Sequence, residues 1–256
     1  MEFILFGIMG LVSGLIGGLF GLGGGVLVVP LLLTAGFDVK VAVAISVVQM
    51  IFVSVFGSFL NFKHKMLDLK WGVFLGIGGI IGGSLSPFVL NLLSPFALSL
   101  MFFCFNVFAF YKFLRPKKVI KAQEKDKKDV LGIALLLIVT GVIVGVFAST
   151  LGIGGGLLMA PILVRFLGID TRRIAAISLL FIVFSSSSAT FSYFQHGILS
   201  DDILKYGSII GIFSIFGVAL GTNFLSRVTP KLHRFAFGSV YVISLVMTAI
   251  HINEQI

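Results

Sequence analysis

Long apolar runs separated by short polar stretches define the chain. Apolar runs from Phe3 to Phe20 and from Val130 to Leu151 each end at a glycine-rich break, and a second, shorter apolar run follows each break. Further apolar runs cover roughly 41–62, 71–91, 96–114, 174–194, 203–225 and 232–251. A helix of about 20 apolar residues is long enough to cross the hydrocarbon layer of a bilayer. The pattern therefore predicts an all-α integral membrane protein of ten segments, two of them short.

The two breaks share one sequence pattern. Gly21-Leu22-Gly23-Gly24-Gly25, continuing to Pro30, recurs 131 positions later as Gly152-Ile153-Gly154-Gly155-Gly156, continuing to Pro161. The run after each break, Val26–Leu33 or Leu157–Leu163, is too short to cross a bilayer alone. Glycine permits a sharp reversal of the chain. Non-helical backbone inside a membrane is tolerated only where it is buried in protein or lines a water-filled cavity. We therefore predict that each half opens with a glycine-broken helical hairpin.

The repeat extends beyond the breaks. The stretch from Asp38 to Ser46 aligns with the stretch from Asp170 to Ser178. Further on, Gly72, Gly76 and Gly82 align with Gly207, Gly211 and Gly217. We interpret the chain as two five-segment membrane units, 1–115 and 130–256, joined by a hydrophilic linker over 116–129. Since each unit has an odd number of segments, we predict inverted repeats.

Composition and charge support a membrane location. With 58% hydrophobic and 11% charged residues, the chain is not a water-soluble domain, and its partner is the lipid bilayer. The net charge of +9 does not indicate nucleic acid, because the basic residues are spread among the loops. A cytoplasmic linker places 17 of the 19 Lys and Arg residues inside, as the positive-inside rule requires. We predict a multi-pass cell-membrane protein with exterior termini, a cytoplasmic 116–128 loop and no removable signal peptide.

Backbone and neutral side chains around the breaks form the candidate binding site. Short helices beginning at Gly24 or Gly25 and at Gly155 or Gly156 offer unpaired N–H groups and positive dipole ends to a small anion. The segments that follow add hydroxyl and amide groups. The predicted substrate-binding residues are Gly23, Gly24, Gly25, Gly154, Gly155, Gly156, Ser46, Gln49, Ser178, Ser185 and Ser186.

Packing is the alternative explanation for many of these residues. Small residues allow close helix contact in membranes, which also accounts for Gly76, Gly79, Gly82, Gly83, Gly211, Gly217 and Gly221. For most of the serines the alternative is interhelical hydrogen bonding. Gln49 differs, because an amide in mid-segment is costly without a partner or a wet cavity. If the site binds an anion symmetrically, substitutions of Gly24 and of Gly155 should reduce anion binding to a similar extent.

Several chemical functions are disfavoured by what the segments lack. No Asp, Glu, Lys or Arg lies in the middle of a segment, which argues against a carboxylate proton relay. Cys104 is the only cysteine, and the sequence holds no metal-ligand cluster and no nucleophile–base pair. We therefore predict no enzyme activity, no metal and no cofactor.

The doubled G-x-G-G-G-x-x-x-x-P pattern on apolar hairpins resembles the TauE/SafE family of membrane proteins, often called sulfite exporters. The resemblance covers the whole chain and includes both motifs. It implies a secondary transporter of a small sulfur-containing anion, such as sulfite, sulfoacetate or a related organosulfonate, working by alternating access between inverted repeats. One alternative is an anion channel with a backbone-amide-lined constriction. Another, ranked below it, is a membrane subunit without transport activity.

Overall fold

The computed structural model describes residues 2–114, 130–156, 158–159, 162–163, 171–225 and 230–254. These residues form nine helices: α1 (Glu2–Phe20), α2 (Gly25–Thr34), α3 (Val39–Lys63), α4 (Leu69–Leu92), α5 (Pro95–Leu114), α6 (Val130–Leu151), α7 (Thr171–Gln195), α8 (Asp201–Leu225) and α9 (Pro230–Glu254). Helical residues also follow the second break, at Gly156, Leu158, Met159, Ile162 and Leu163. The predicted linker over 116–129 and Pro161 lie outside the described residues. The all-α prediction is confirmed.

Six of the described helices, α1, α3, α4, α6, α7 and α8, are long and apolar enough to cross a membrane. Large apolar side chains such as Ile4, Phe88 and Leu131 point outward, as expected for helices facing lipid. Helix α2 has only 10 residues, so it extends about 15 Å, half of the hydrocarbon thickness of a bilayer. The prediction of a short helix after the first break is confirmed.

Local signals explain where α3 begins and ends. Asp38 precedes the helix in an extended conformation, and its side chain accepts a hydrogen bond of 2.8 Å from the backbone N–H of Lys40. This contact satisfies one of the N–H groups that a helix start leaves unpaired. At the other end, Lys65 adopts a left-handed φ of 57°, which turns the chain toward α4. Helix α3 follows α2 directly and carries Ser46 and Gln49 past the first break.

The two halves pack against each other through equivalent helix pairs. Helix α1 packs along α8, and its counterpart α6 packs along α4. In the same way α3 contacts α8, while its counterpart α7 contacts α4. The correspondence reaches single residues, because Gly76 lies against the ring of Phe184 and Gly211 lies against the ring of Phe52. The same helix pairing therefore occurs twice within the fold.

Glycines make the closest of these crossings possible. A methyl group at Gly82 of α4 would overlap the carbonyl oxygen of Val142 in α6, and one at Gly217 of α8 would overlap that of Leu11 in α1. Small residues let helix backbones approach in this way inside membranes. At these positions the packing explanation is confirmed.

Candidate functional site

The glycines of both breaks adopt backbone conformations that other residues avoid. Gly21, Gly23 and Gly24 have φ values of 68°, 73° and 81°. In the second break, Gly152 and Gly154 have φ values of 64° and 72°. A side chain in this left-handed region costs about 1–2 kcal/mol per residue. The repeated glycines therefore provide the sharp turn between a long helix and the helix that follows it.

Gly24 is the N-cap of α2. Its carbonyl oxygen accepts hydrogen bonds from the backbone N–H groups of Leu27 and Val28, at 3.2 and 3.3 Å, so the helix begins at the break itself. Because the cap residue is a glycine, it has no side chain that could accept a hydrogen bond from the first N–H groups of the helix. The positive end of the α2 dipole is therefore directed at the break.

The two breaks contact each other backbone to backbone. A methyl group at Gly25 would overlap the carbonyl oxygen of Gly152, and a methyl group at Gly156 would overlap the carbonyl oxygen of Gly21. Each contact joins the helix start of one break to the first glycine of the other. The same contact is thus made twice with the roles exchanged, and it brings the start of α2 close to the helical residues that begin at Gly156.

Two serines that are equivalent in the repeat lie beside this contact. The hydroxyl of Ser46 donates a hydrogen bond of 2.8 Å to the carbonyl oxygen of Gly152. Ser178 lies next to Gly156, with its Cβ 3.4 Å from the position that a methyl group there would take. Both serines are fully buried, but the Ser178 hydroxyl has no hydrogen-bond partner among the described residues. Within the described part of the chain, the second break therefore holds a polar group without a partner.

Gln49 lies beside the first break. Its Nε2 atom is 3.2 Å from the position that a methyl group on Gly24 would take. Nε2 donates a hydrogen bond of 3.0 Å to the Oγ of Ser214 in α8 and a longer one of 3.5 Å to the Oγ of Ser13 in α1. The side chain is fully buried, and its Oε1 atom has no partner among the described residues. We call Ser13, Gln49 and Ser214 the amide cluster.

The second break has apolar residues where the first has the amide cluster. The position equivalent to Gln49 is Phe181, whose ring lies 2.5 Å from the methyl position at Gly155 and 2.7 Å from that at Gly79. Val144 takes the place of Ser13, and Gly79 takes the place of Ser214. A buried aromatic ring therefore fills the space that the amide occupies in the other half.

Ser185 and Ser186 have different surroundings from the other predicted site residues. Their hydroxyls donate to the carbonyl oxygen of Ile182 in their own helix, at 3.4 and 2.6 Å. The backbone of Ser185 packs against Gly83 of α4. No contact between these two serines and the breaks is described. Of the eleven predicted residues, the structure brings together the six glycines, Ser46, Gln49 and Ser178.

Other serines of α7 connect it to α4. Ser188 donates a hydrogen bond of 2.7 Å to the carbonyl oxygen of Ile80, and Ser192 donates one of 2.9 Å to that of Ser84. The equivalent positions in α3 are Phe56 and Leu60, so the first half has no such pair of bonds. Interhelical hydrogen bonding, the alternative for most of the serines, describes these two.

Ser13 and Ser214 are the residues that sequence reasoning missed. Each is a hydroxyl within a long apolar run, a pattern that is common in membrane helices and carries little information by itself. The repeat contains a signal that points to them, because their equivalents Val144 and Gly79 cannot form hydrogen bonds through a side chain. Only the α1–α8 crossing shows that both hydroxyls meet Gln49.

The site is polar without being charged. Apart from tyrosine, the buried polar side chains of the described residues are serine, threonine, asparagine and glutamine. Where such groups meet the start of a helix, the available electrostatics come from N–H groups, hydroxyls and the helix dipole. This arrangement can hold a small anion without a fixed positive charge.

Comparison with known proteins identifies relatives along almost the whole chain. Residues 6–248 match the family described as Sulfite exporter TauE/SafE. The chain is 30% identical over 213 residues to the probable membrane transporter protein YunE of Bacillus subtilis, covering 73% of this chain and 76% of that protein. It is 28% identical over 250 residues to a probable membrane transporter protein of Methanocaldococcus jannaschii, covering 91% and 90% of the two chains.

A third relative is the probable membrane transporter protein YjnA of Bacillus subtilis, 25% identical over 252 residues, with 93% of this chain and 96% of that protein covered. No solved structure matches the chain. The family match extends over both halves and both glycine breaks. The chain therefore belongs to the TauE/SafE family, and it is a multi-pass membrane transporter.

Proposed function

We propose that this transporter carries a small sulfur-containing anion, such as sulfite, sulfoacetate or a related organosulfonate, by alternating access between inverted repeats. The observation that carries the proposal is the reciprocal contact between Gly25 and Gly152 and between Gly156 and Gly21. It brings together the start of α2 and the helical residues that begin at Gly156, and helix starts are the parts of a fold best suited to hold an anion.

The chemistry of this region suits an oxyanion. A sulfonate or sulfite presents several oxygen acceptors, which backbone N–H groups and hydroxyls can bind. Ser178 offers a buried hydroxyl without a described partner next to Gly156, and α2 begins at Gly24 without a side-chain cap. The proposed binding residues are the glycines 23–25 and 154–156 with Ser46, Gln49 and Ser178. Neutral donors hold an anion without a fixed counter-charge, which favours its release.

Alternating access is supported by the way the helices pair. Each long helix of one half packs along a helix of the other half, α1 with α8 and α6 with α4, so the molecule contains two similar helix groups around one centre. In transporters built from repeats, one such group rocks against the other around a central site. The backbone contact between the two breaks lies between these groups, which is the position expected for the central site of a carrier.

We also propose an orientation with both termini outside and the 116–128 loop in the cytoplasm. The support is the distribution of 17 basic residues on one side of the membrane and two on the other. Cysteine labelling tests it, with Ala122→Cys as the reporter in a Cys104→Ala background, because Cys104 is an exposed thiol. A membrane-impermeant reagent applied from outside should leave position 122 unlabelled. Labelling from outside intact cells would contradict this orientation.

Uptake into proteoliposomes tests the proposed function. Purified protein is reconstituted, and sulfite, thiosulfate, sulfoacetate, taurine and sulfate are compared as substrates against empty liposomes. We expect saturable uptake of at least one sulfur-containing anion, with turnover in the range of a carrier. Gly7→Ala serves as a control for handling, because the added methyl group would lie 3.5 Å from the Phe213 ring, an ordinary contact. Uptake no faster than in empty liposomes for all five would reject the proposal, and single-channel currents would favour the channel.

A further inference from the structure

The amide of Gln49 is held in one orientation by its two serine neighbours. Ser214 Oγ donates to the carbonyl oxygen of Ile210 at 2.7 Å, and Ser13 Oγ donates to that of Gly10 at 3.1 Å. The two hydroxyl oxygens also lie 3.3 Å apart, so one of them can donate to the other. A hydroxyl has one proton, so a serine that donates to the backbone or to the other serine presents only lone pairs to Gln49. The amino group of the amide therefore faces the serines, in agreement with the 3.0 Å contact from Nε2 to Ser214.

The amino group of Gln49 contacts Gly24 at the first break, and this orientation leaves its carbonyl oxygen without a partner among the described residues. Oε1 is buried and accepts no hydrogen bond from the described residues. The oxygen and nitrogen of an amide are about 2.2 Å apart, so Oε1 lies within about 5.4 Å of the methyl position at Gly24. A buried acceptor without a partner is costly, and a native structure normally provides a donor for it.

We infer that the substrate provides this donor: the transported anion carries an O–H or N–H group close to its anionic group, and Gln49 Oε1 accepts a hydrogen bond from it. The anionic group takes the N–H groups at the start of α2. The inference rests on the proposed function and narrows it to sulfonates or related oxyanions that bear a hydroxyl or ammonium group. Sulfoacetate, which at neutral pH offers only acceptors, fits this description less well.

The second half has no counterpart to this acceptor. Phe181 occupies the equivalent position, and its ring fills the space between Gly155 and Gly79. A ligand shared by the two breaks therefore meets a carbonyl acceptor on one side only. The donor end of the substrate is placed at the first break and the oxyanion between the two helix starts.

A matched pair of sulfonates tests the inference. Ethanesulfonate and hydroxyethanesulfonate have the same charge and the same sulfonate group, and they differ by one hydroxyl. Binding of each to the full-length protein in detergent is measured by calorimetry. We expect hydroxyethanesulfonate to bind the unmodified protein roughly tenfold more tightly, as one hydrogen bond to an otherwise unsatisfied buried group allows.

Gln49→Leu removes the acceptor and should make the two sulfonates bind equally. Phe181→Leu is the matched control, because it introduces the same residue at the equivalent position and should keep the preference. Melting temperatures of all samples show whether each variant is folded. If Gln49→Leu does not fold, Gln49→Met replaces it. The ratio of the two sulfonate affinities, measured on the unmodified protein, tests the inference in either case.

The outcomes separate the inference from the proposed function. Equal affinities of the unmodified protein for the two sulfonates would overturn this inference alone, and would mean that the amino group of Gln49 faces the ligand or that water satisfies Oε1. A preference that persists in Gln49→Leu would also overturn it, because the hydroxyl would then be recognised elsewhere. Absence of saturable binding for both sulfonates and for sulfite would overturn the proposed function together with this inference.

Discussion

The two glycine breaks share a backbone but differ in what surrounds it. Both reverse the chain with left-handed glycines, and each packs its helix start against the other. Beside Gly24, however, lies the amide of Gln49, and beside Gly155 lies the ring of Phe181. The repeated glycines therefore build a symmetric frame, while the neighbouring helices give it one polar side and one apolar side. Symmetry of sequence motifs does not imply symmetry of chemistry.

The glycines of such a site can serve two roles, which are to allow close backbone contact and to expose N–H groups to a ligand. The difference between the two breaks helps to separate these roles. Gly25 and Gly156 are in equivalent backbone contacts, so the frame requires both. Gly24 and Gly155 face different side chains, so we expect their contributions to stability and binding to differ. Substitutions at equivalent positions show how far the symmetry extends.

The largest effect is expected from Gly25→Ala and Gly156→Ala. In both variants the methyl group meets a carbonyl oxygen of the opposite break, and backbone cannot move aside as a flexible side chain can. We expect each to lower the free energy of unfolding by about 3 kcal/mol or more, the upper range for overpacking. Thermal melting in detergent measures it. Gly7→Ala is the control, because its methyl group would lie 3.5 Å from the Phe213 ring, an ordinary contact. A stable Gly25→Ala protein would disprove the contact between the breaks.

Gly24→Ala and Gly155→Ala should differ in stability. Alanine at position 24 has a strained φ of 81° and lies 2.7 Å from the backbone oxygen of Ser13, whereas Gly155 is outside the left-handed region and faces only side chains. We expect Gly24→Ala to be less stable by about 1–2 kcal/mol, the cost of a side chain in that region.

Gly36→Ala isolates this strain, because Gly36 has a φ of 88° and no atom within 4 Å of the added methyl group. If Gly24→Ala and Gly36→Ala melt at the same temperature, the contact with Ser13 contributes nothing. Equal stability of the Gly24 and Gly155 variants would restore the symmetric expectation drawn from the motif.

Gln49→Leu and Phe181→Leu should affect different properties. Leucine at 181 leaves part of the ring's volume empty, and we expect a loss of about 2 kcal/mol, roughly half the cost of replacing phenylalanine by alanine. Leucine at 49 removes an amide whose serine neighbours keep their bonds to backbone carbonyls, so stability should change by less than about 1 kcal/mol.

Transport should show the reverse order, with a large loss in Gln49→Leu and a small one in Phe181→Leu. Melting temperature and uptake of the same proteoliposome preparations give both values. If Gln49→Leu loses stability but keeps its transport rate per folded molecule, the amide cluster serves packing alone.

The smallest difference is expected between Ser46→Ala and Ser178→Ala. Ser46 loses a hydrogen bond of 2.8 Å to Gly152, worth on average about 0.6 kcal/mol between membrane helices. The Ser178 hydroxyl has no described partner to lose, so its removal should leave stability unchanged or raise it. Ser54→Ala is a suitable control, since the Ser54 hydroxyl bonds only within its own helix, to Ile51. A greater loss of stability in Ser178→Ala than in Ser46→Ala would show that Ser178 has a partner in the folded protein.

The helical segments and the two glycine breaks could be predicted from the sequence alone. Runs of about 20 apolar residues predict membrane helices because backbone polar groups must be satisfied within the segment. The short α2 follows from the same counting, and the repeat with its two glycine motifs was readable as a pattern. Glycines within membrane segments predict close contact between helices, and the structure has such contacts at Gly82 and Gly217.

Which residues lie together at the candidate site depends on the packing of the helices. Ser13, Gln49 and Ser214 lie on three helices, and their meeting depends on how α1 and α8 cross beside α3. Ser185, close to Ser178 in sequence, instead packs toward α4. Periodicity along one helix indicates which side chains share a face, but the partner of that face is set by helix packing over the whole molecule. The two breaks look alike along the chain for this reason, and differ once the neighbouring helices are in place.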